Sequence, residues 1–167
     1  MKKIITWLLD PPATGPRTIL ILRLMAGSVF FWEGILKFVY VNQGVGRFTK
    51  LGFPFPGTTA HIIAVGEIIG GLLLIFGLFT RIVALYFIIQ MIVAVVSTKI
   101  SLYLGTSPLP APPKMGIWSL LHEIRSDFAQ IFTCLFLFIE GAGRRSLDFI
   151  ISSSKKVYKM SEKRMVA

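Results

Sequence analysis

The sequence predicts an all-α protein, a four-helix transmembrane bundle preceded by a short N-terminal interfacial helix. Three observations predict it. Of the 167 residues, 54% are hydrophobic and only 16% are charged, where a soluble domain carries roughly a quarter charged residues. Four stretches reach the about 20 predominantly apolar residues that a helix needs to cross a bilayer core. No run sustains the period-2 alternation of a half-buried strand. The mean hydropathy of +0.72 excludes a disordered chain, and the single cysteine, Cys134, excludes a disulfide framework.

Residues 1–17 form the predicted interfacial segment. Lys2-Lys3 and the apolar Ile4-Ile5-Thr6-Trp7-Leu8-Leu9 begin like a signal peptide. The apolar part is too short, and Asp10-Pro11-Pro12 ends it where a cleavage site would stand. It reads as a retained helix with Trp7 at headgroup level. The membrane domain, 18–148, comes next. Its spans run from about Thr18 to Tyr40, Thr58 to Phe79, Arg81 to Ile100 and Trp118 to Glu140. Each contains Gly or Ala, as membrane helices tolerate. The loop Val41 to Gly57 ends in the turn-rich Phe53-Pro54-Phe55-Pro56-Gly57. Spans two and three, joined around Thr80-Arg81, must form a tight antiparallel hairpin. Pro108, Pro110, Pro112 and Pro113 predict an extended connection before span four. The tail, 149–167, turns polar and basic from Ser152 and is expected to fray or to lie on headgroups.

Lys and Arg outnumber Asp and Glu by 18 to 8, and their placement argues for a membrane surface and against nucleic acid. Eleven basic residues fall on the side shared by the termini and the second loop, against five at most on the other, namely Arg47, Lys50, Lys99, Lys114 and Arg125. The positive-inside rule then places both termini in the cytoplasm of a multi-pass cytoplasmic (inner) membrane protein. The basic tail faces anionic lipid.

The informative residues are polar ones inside spans, where a charge costs about 2.5–3.5 kcal/mol on insertion scales and so faces a protein interior or a cavity. These are Arg23, Glu33 and Lys37, then Glu67, Gln90, Asp127 and Gln130. Arg23, Gly27, Phe30, Gly34 and Lys37 share one helical face. Gly66, Gly70 and Gly77 form a small-residue stripe beside Glu67, a packing surface within the bundle or across a homo-oligomer interface. Glu123, Asp127, Gln130, Cys134 and Gly141 share a face of span four. Glu33, Glu67 and Asp127 each lie roughly 10 Å below the outer ends of their spans. Lys37 can pair with Glu33 one turn away, and Arg23, deeper, with Glu140 or Gln90. Acids converging in a low dielectric cannot all ionise cheaply, and one that holds a proton can exchange it with a substrate. Glu67, Glu33 and Asp127 are therefore the candidate catalytic acids, and Arg23 and Lys37 the candidate groups for a polar or anionic cofactor. The competing reading is that such pairs fix helix register, or that Lys37, Glu123 and Arg125 snorkel to the surface.

Other chemistries fall away. His61 and His122 could together ligate haem or a metal, but no third ligand is spaced to join them. One cysteine cannot hold an iron–sulfur cluster or a CxxC relay. No Walker loop or GxGxxG follows a strand, so neither metal nor nucleotide is expected. Gly141-Ala142-Gly143 reads as a helix C-cap.

Arg23-Leu24, then Gly34-x-x-Lys37-Phe38, resemble the opening of DoxX-family membrane proteins. So do Leu51-Gly52-Phe53-Pro54 with Pro56, and Gly66-Glu67-Ile68-Ile69-Gly70-Gly71 leading to Gly77-Leu78-Phe79-Thr80-Arg81. Gly141-Ala142-Gly143 through Ser146-Leu147-Asp148 resembles the family's ending, with Ala142 where proline is usual and Arg145 where an aromatic is frequent. The resemblance covers roughly Thr18 to Asp148. It implies a four-helix, usually bacterial membrane protein, with family charged positions at Arg23, Lys37 and Glu67. The family is named for a subunit of a terminal quinol oxidase. Relatives are tied to thiosulfate–quinone oxidoreduction and to redox-stress assemblies.

The expected function is a membrane subunit of a quinone-linked oxidoreductase or redox-stress complex. It would bind quinone and work with a protein partner that carries the electron cofactor, since this chain offers acids, bases and aromatic walls such as Phe30, Phe31 and Trp32 but no electron carrier. The alternative is a non-enzymatic membrane carrier or scaffold for a small lipophile, solute or partner protein.

Overall fold

The computed structural model of the chain describes residues 7–8, 15–108 and 116–165. It is all-α over them. Helix α1 spans Ile19–Val39, the short α2 Val45–Lys50, α3 Pro56–Phe76 and α4 Thr80–Ala94. A π-helical turn, Val95–Lys99, and a four-residue helix α5, Ile100–Tyr103, continue α4. Helices α6, Ile117–Glu140, and α7, Leu147–Met165, complete the chain. Three helical stretches, Ile19–Val39, Pro56–Phe76 and Thr80–Tyr103, are long and apolar enough to cross a membrane. The fourth long helix, α6, is amphipathic and carries Glu123, Arg125, Asp127 and Glu140.

The observed boundaries depart from the expected ones for local reasons. Helix α3 starts at Pro56, inside the expected turn, because a proline at the first helical position loses no hydrogen bond. It stops at Gly77, which takes the left-handed backbone (φ 68°) and leaves Leu78 and Phe79 to turn the chain. The third span runs past Ile100 to Tyr103 through the π turn. The loop after α1 contains α2. The tail is not frayed after Ser152: α7 is one helix to Met165. Of the expected interfacial helix, Trp7 and Leu8 are helical. Its remainder, and the proline-rich connection beyond Pro108, lie outside the described residues.

Helix α1 packs chiefly on α3, and α4 on α6; α1 also touches α6, and the turn at Gly77 couples α3 to α4. The α1–α3 contact is a backbone approach made by glycines. A Cβ on Gly27 would lie 2.7 Å from the Gly71 carbonyl oxygen, and one on Gly34 2.6 Å from that of Ala64. Small residues bring membrane helices together in this way because apolar burial does not drive their association in lipid. Gly66 and Gly70 instead face Tyr86 and Phe87 of α4. Between the pairs lies a core of Ile19, Ala26, Phe30, Leu74, Val83, Ala84, Phe87, Cys134 and Leu137. Phe30 and Phe87 stack face to face there, with ring centroids 3.6 Å apart.

Candidate functional site

Above the Phe30–Phe87 stack, between α1, α3, α4 and α6, a cavity of about 480 Å³ opens toward the end of the bundle that carries α2. That volume lies within the range of small-molecule sites. Its walls are mixed. Val29, Phe30, Phe48, Leu51, Ile63 and Ile89 supply apolar surface, and Glu33, Lys37, Glu67, Gln90, Lys99 and Asp127 supply charge and hydrogen bonds.

Glu67 is the centre of the first polar cluster. Its side chain is only 3% exposed, and Oε2 accepts from Lys37 Nζ at 2.6 Å. Oε1 accepts from Gln90 Nε2. Three helices therefore meet in one network, with Lys37 from α1, Glu67 from α3 and Gln90 from α4. Lys37 also reaches Glu33 Oε2 at 3.8 Å. The expected pairing of Lys37 with Glu33 is thus the outer half of a bridge whose shorter contact is to Glu67. Glu33, with 53% of its side chain exposed, stands at the mouth.

Asp127 belongs to a second cluster on the same cavity. Lys99 Nζ lies 3.7 Å from Asp127 Oδ2 and 3.4 Å from Glu123 Oε2, and donates to the Glu123 carbonyl at 3.2 Å. Sequence places Lys99 among the basic residues at the ends of spans and not in the site. The π turn that it closes adds a residue to the helical turn and re-aims the side chains after the insertion; that of Lys99 is left only 14% exposed. Each inward acid thus has its own lysine. Gln90 Oε1, Gln130 Oε1 and Asp127 Oδ2 are buried acceptors with no hydrogen-bond partner among the described residues, and all three residues line this cavity. Buried acceptors left open in this way are uncommon and mark places that a ligand or water completes.

Arg23 does not line the cavity. It is the largest fully buried side chain among the described residues, 1% exposed, and its expected partners, Glu140 and Gln90, are replaced by backbone. Nη1 donates to the Ala142 carbonyl at 2.8 Å and Nη2 to that of Ile75 at 3.0 Å. Ile75 lies in the last turn of α3, where carbonyls lack intrahelical donors and the dipole favours a cation, and Ala142 lies just past Gly141, the cap of α6. A Cβ at Gly77 would strike this guanidinium, so that glycine serves both the left-handed turn and the arginine. Arg81 repeats the device, donating to the carbonyls of Trp7 and Ile139 at 2.9 Å each, with its guanidinium 3.8 Å above the Trp7 ring. Asp148, which sequence reasoning does not single out as a side chain, accepts from the Phe79 and Thr80 amides at 2.9 and 3.1 Å and caps α4 from the start of α7. The two histidines are apart in their roles: His61 contacts the Gly57 carbonyl at 2.6 Å, and His122 faces Glu123.

Residues 18–100 match the DoxX family. The chain belongs to it. An uncharacterized membrane protein of Mycobacterium tuberculosis, Rv3486, is 37% identical over 142 residues, covering 81% of this chain and 82% of its own length. A Bacillus subtilis protein named "Putative oxidoreductase CatD" is 31% identical over 137 residues, covering 82% of this chain and 89% of its own. No solved structure matches the chain. The DoxX match contains Arg23, Glu33, Lys37, Glu67, Gln90 and Lys99, whereas Asp127 and Asp148 lie beyond it.

Proposed function

We propose that this DoxX protein is a membrane subunit of a quinone-linked oxidoreductase, and that the cavity around Glu67 handles quinone and its protons. The observation that carries the reading is one chamber holding paired lysines and carboxylates beside open acceptors. Lys37 and Lys99 are donors suited to a carbonyl oxygen, while Gln90 Oε1, Gln130 Oε1 and the carboxylates are acceptors suited to a hydroxyl. The aromatic floor of Phe30 and the aliphatic walls suit a ring and a lipid tail. When bound, a quinone supplies the two-electron, two-proton chemistry. The residues of this chain would do the rest: Phe30 and Phe48 exclude water, Lys37 and Lys99 orient oxygen atoms, and Glu67 holds or releases a proton at Oε2 or Oε1. Glu33, at the mouth, is placed to pass that proton to the surface through Lys37. Electrons would come from a protein partner, because the described residues include no electron carrier. The name of the Bacillus subtilis relative agrees with a redox role. The basic excess at the termini supports a cytoplasmic membrane with both termini inside.

The test is twofold. The protein purified in detergent from quinone-containing membranes is extracted with organic solvent, and the extract is assayed by absorption and chromatography. Stoichiometric quinone is expected; its absence, together with no quinone-dependent electron transfer with any partner, supports a carrier or scaffold instead. Glu67→Gln keeps the shape and a hydrogen-bonding group. It should fold and insert normally yet lose proton-coupled activity. Unchanged activity, or failure to fold, makes Glu67 structural.

A further inference from the structure

At the opposite end of the bundle, an open depression is lined by Arg17, Arg144, Arg145 and Phe149. Arg17 stands two residues before the first apolar helix, and Arg144 and Arg145 stand in the α6–α7 connection. None of the three arginines has an ion-pair or side-chain hydrogen-bond partner among the described residues, and all three are exposed.

Their proximity is built into the backbone. Gly143 adopts φ 74°, and a Cβ there would lie 2.9 Å from the Pro16 carbonyl oxygen, so a glycine is what lets the segment before α1 press on this loop. The inner side of the loop is pinned three times. Arg23 binds the Ala142 carbonyl, Ser146 Oγ donates to the Gly143 carbonyl at 2.6 Å, and Asp148 holds the start of α7 against α4. Three like charges are thus held together, and the carboxylate in that frame, Asp148, is occupied by the Phe79 and Thr80 amides. Planar guanidinia in this arrangement match the oxygens of a phosphoryl group.

Two independent observations place the site in the headgroup layer. The Arg81–Trp7 stack sits at this end, and tryptophan collects at membrane–water boundaries. The first turns of α7 also expose Leu147, Ile150 and Ile151 on one side, at the spacing of a helical stripe, directly after the arginines. A free phosphate would leave that stripe unused, whereas an acyl chain covers it.

We infer that Arg17, Arg144 and Arg145 form a binding site for the phosphoryl headgroup of an anionic phospholipid, whose acyl chain lies along Leu147, Ile150 and Ile151. The site is separate from the Glu67 cavity, so it stands whatever that cavity binds.

Native mass spectrometry of delipidated full-length protein in detergent micelles tests it, with phosphatidylglycerol, phosphatidic acid and phosphatidylcholine added in turn. The triple variant Arg17→Gln/Arg144→Gln/Arg145→Gln is compared with Lys156→Gln/Lys159→Gln/Lys163→Gln, which removes the same charge from the tail. The wild type and the lysine variant should bind the two anionic lipids at least tenfold more tightly than phosphatidylcholine, and the arginine variant should lose that preference. Equal losses in both variants would reduce the effect to general basic charge and overturn the site. Binding by the arginine variant that matches wild type would overturn it too, as would displacement of lipid by millimolar inorganic phosphate, which would assign a soluble anion instead. Unchanged thermal stability of the arginine variant in detergent shows that a lost preference is not misfolding; for a destabilised variant, Arg144→Gln alone must reproduce the loss or the inference fails.

Discussion

Replacing Lys37 by Met removes the cation from the Glu67 cluster while keeping the length of the side chain. At 2.6 Å and an effective dielectric of 20, the gross attraction between the two charges is about 6 kcal/mol, much of it offset by the desolvation of both groups. Without the lysine, Glu67 has two routes. It stays ionised with only Gln90 to bond it, or it takes a proton on folding. From an ordinary glutamate value near 4.3, the second route costs about 3.7 kcal/mol at pH 7 and caps the loss. Lys37→Met should therefore destabilise by about 3–4 kcal/mol, consistent with breaking a buried pair. Glu67→Gln should cost less, about 1–2 kcal/mol, because Lys37 keeps Glu33 at 3.8 Å and a route to solvent. In the double variant no buried charge is left unmatched, so the two losses should not add. A coupling of about 2–3 kcal/mol is expected from the cycle.

The assay is reversible unfolding in mixed micelles for the four proteins, repeated at pH 6. If the second route is taken, the folded Lys37→Met protein binds one more proton than the unfolded chain, and its stability rises as pH falls. Its deficit should shrink by about 1.4 kcal/mol on going from pH 7 to pH 6. Additive single losses, or a Lys37→Met deficit below about 1 kcal/mol as for an exposed pair, would refute the reasoning.

Two further substitutions probe the frame. Gly27→Val puts side-chain atoms against the Gly71 carbonyl and the Ile75 amide, at 2.7 and 3.1 Å from the new Cβ, and backbone cannot give way as a side chain can. It should cost about 3 kcal/mol or more, the upper end of overpacking. Gly57→Ala, with no atom within 4 Å of its Cβ, should stay within about 0.5 kcal/mol; equal melting temperatures for the two variants would show that α1 and α3 do not meet at Gly27. Asp148→Ala removes the cap on α4 and should cost about 1–2 kcal/mol. Hydrogen exchange should quicken first at the Phe79 and Thr80 amides, and unchanged protection there would contradict the capping role.

How far the sequence foretells this arrangement depends on what kind of signal each part leaves. The apolar helices were legible because length and composition alone distinguish a span, and the glycines at 27, 34, 66 and 70 mark packing surfaces by their spacing. Helix α7 was not legible, since Ser152-Ser153-Ser154 and the lysines dilute the period set by Leu147, Ile150 and Ile151. In the site, Lys37 and Glu67 stand out as charges inside apolar runs. Their pairing does not, because sequence spacing offers Lys37 only the neighbour one turn away, Glu33, and the shorter contact joins residues 30 positions apart. Lys99 was hidden by the π turn. Val95-Val96-Ser97-Thr98 reads as an ordinary span end, with nothing to show that the helix widens and carries the next side chain inward.

Arg23 exposes the limit of arguing from cost alone. A buried charge must be compensated, but a carboxylate is not the only group that can do it. Here the compensation comes from one carbonyl in the last turn of α3 and one just past the cap of α6, which no residue type announces; the nearest signal is the pair of glycine-ended helices at Gly77 and Gly141. The means of compensation also separates the two ends of the bundle. Arg23 and Arg81 commit both terminal nitrogens to backbone carbonyls and leave only Nε without a partner. They are consumed in holding helices together. Around the cavity, Gln90, Gln130 and Asp127 keep acceptors open toward a common space while Lys37 and Lys99 balance the acids. Neither arginine lines the cavity, whereas Gln90, Gln130 and Asp127 all do, and a ligand site needs polar groups that converge on a common space. The proposed quinone handling therefore rests on Glu67 and its cavity, with Arg23 as part of the frame.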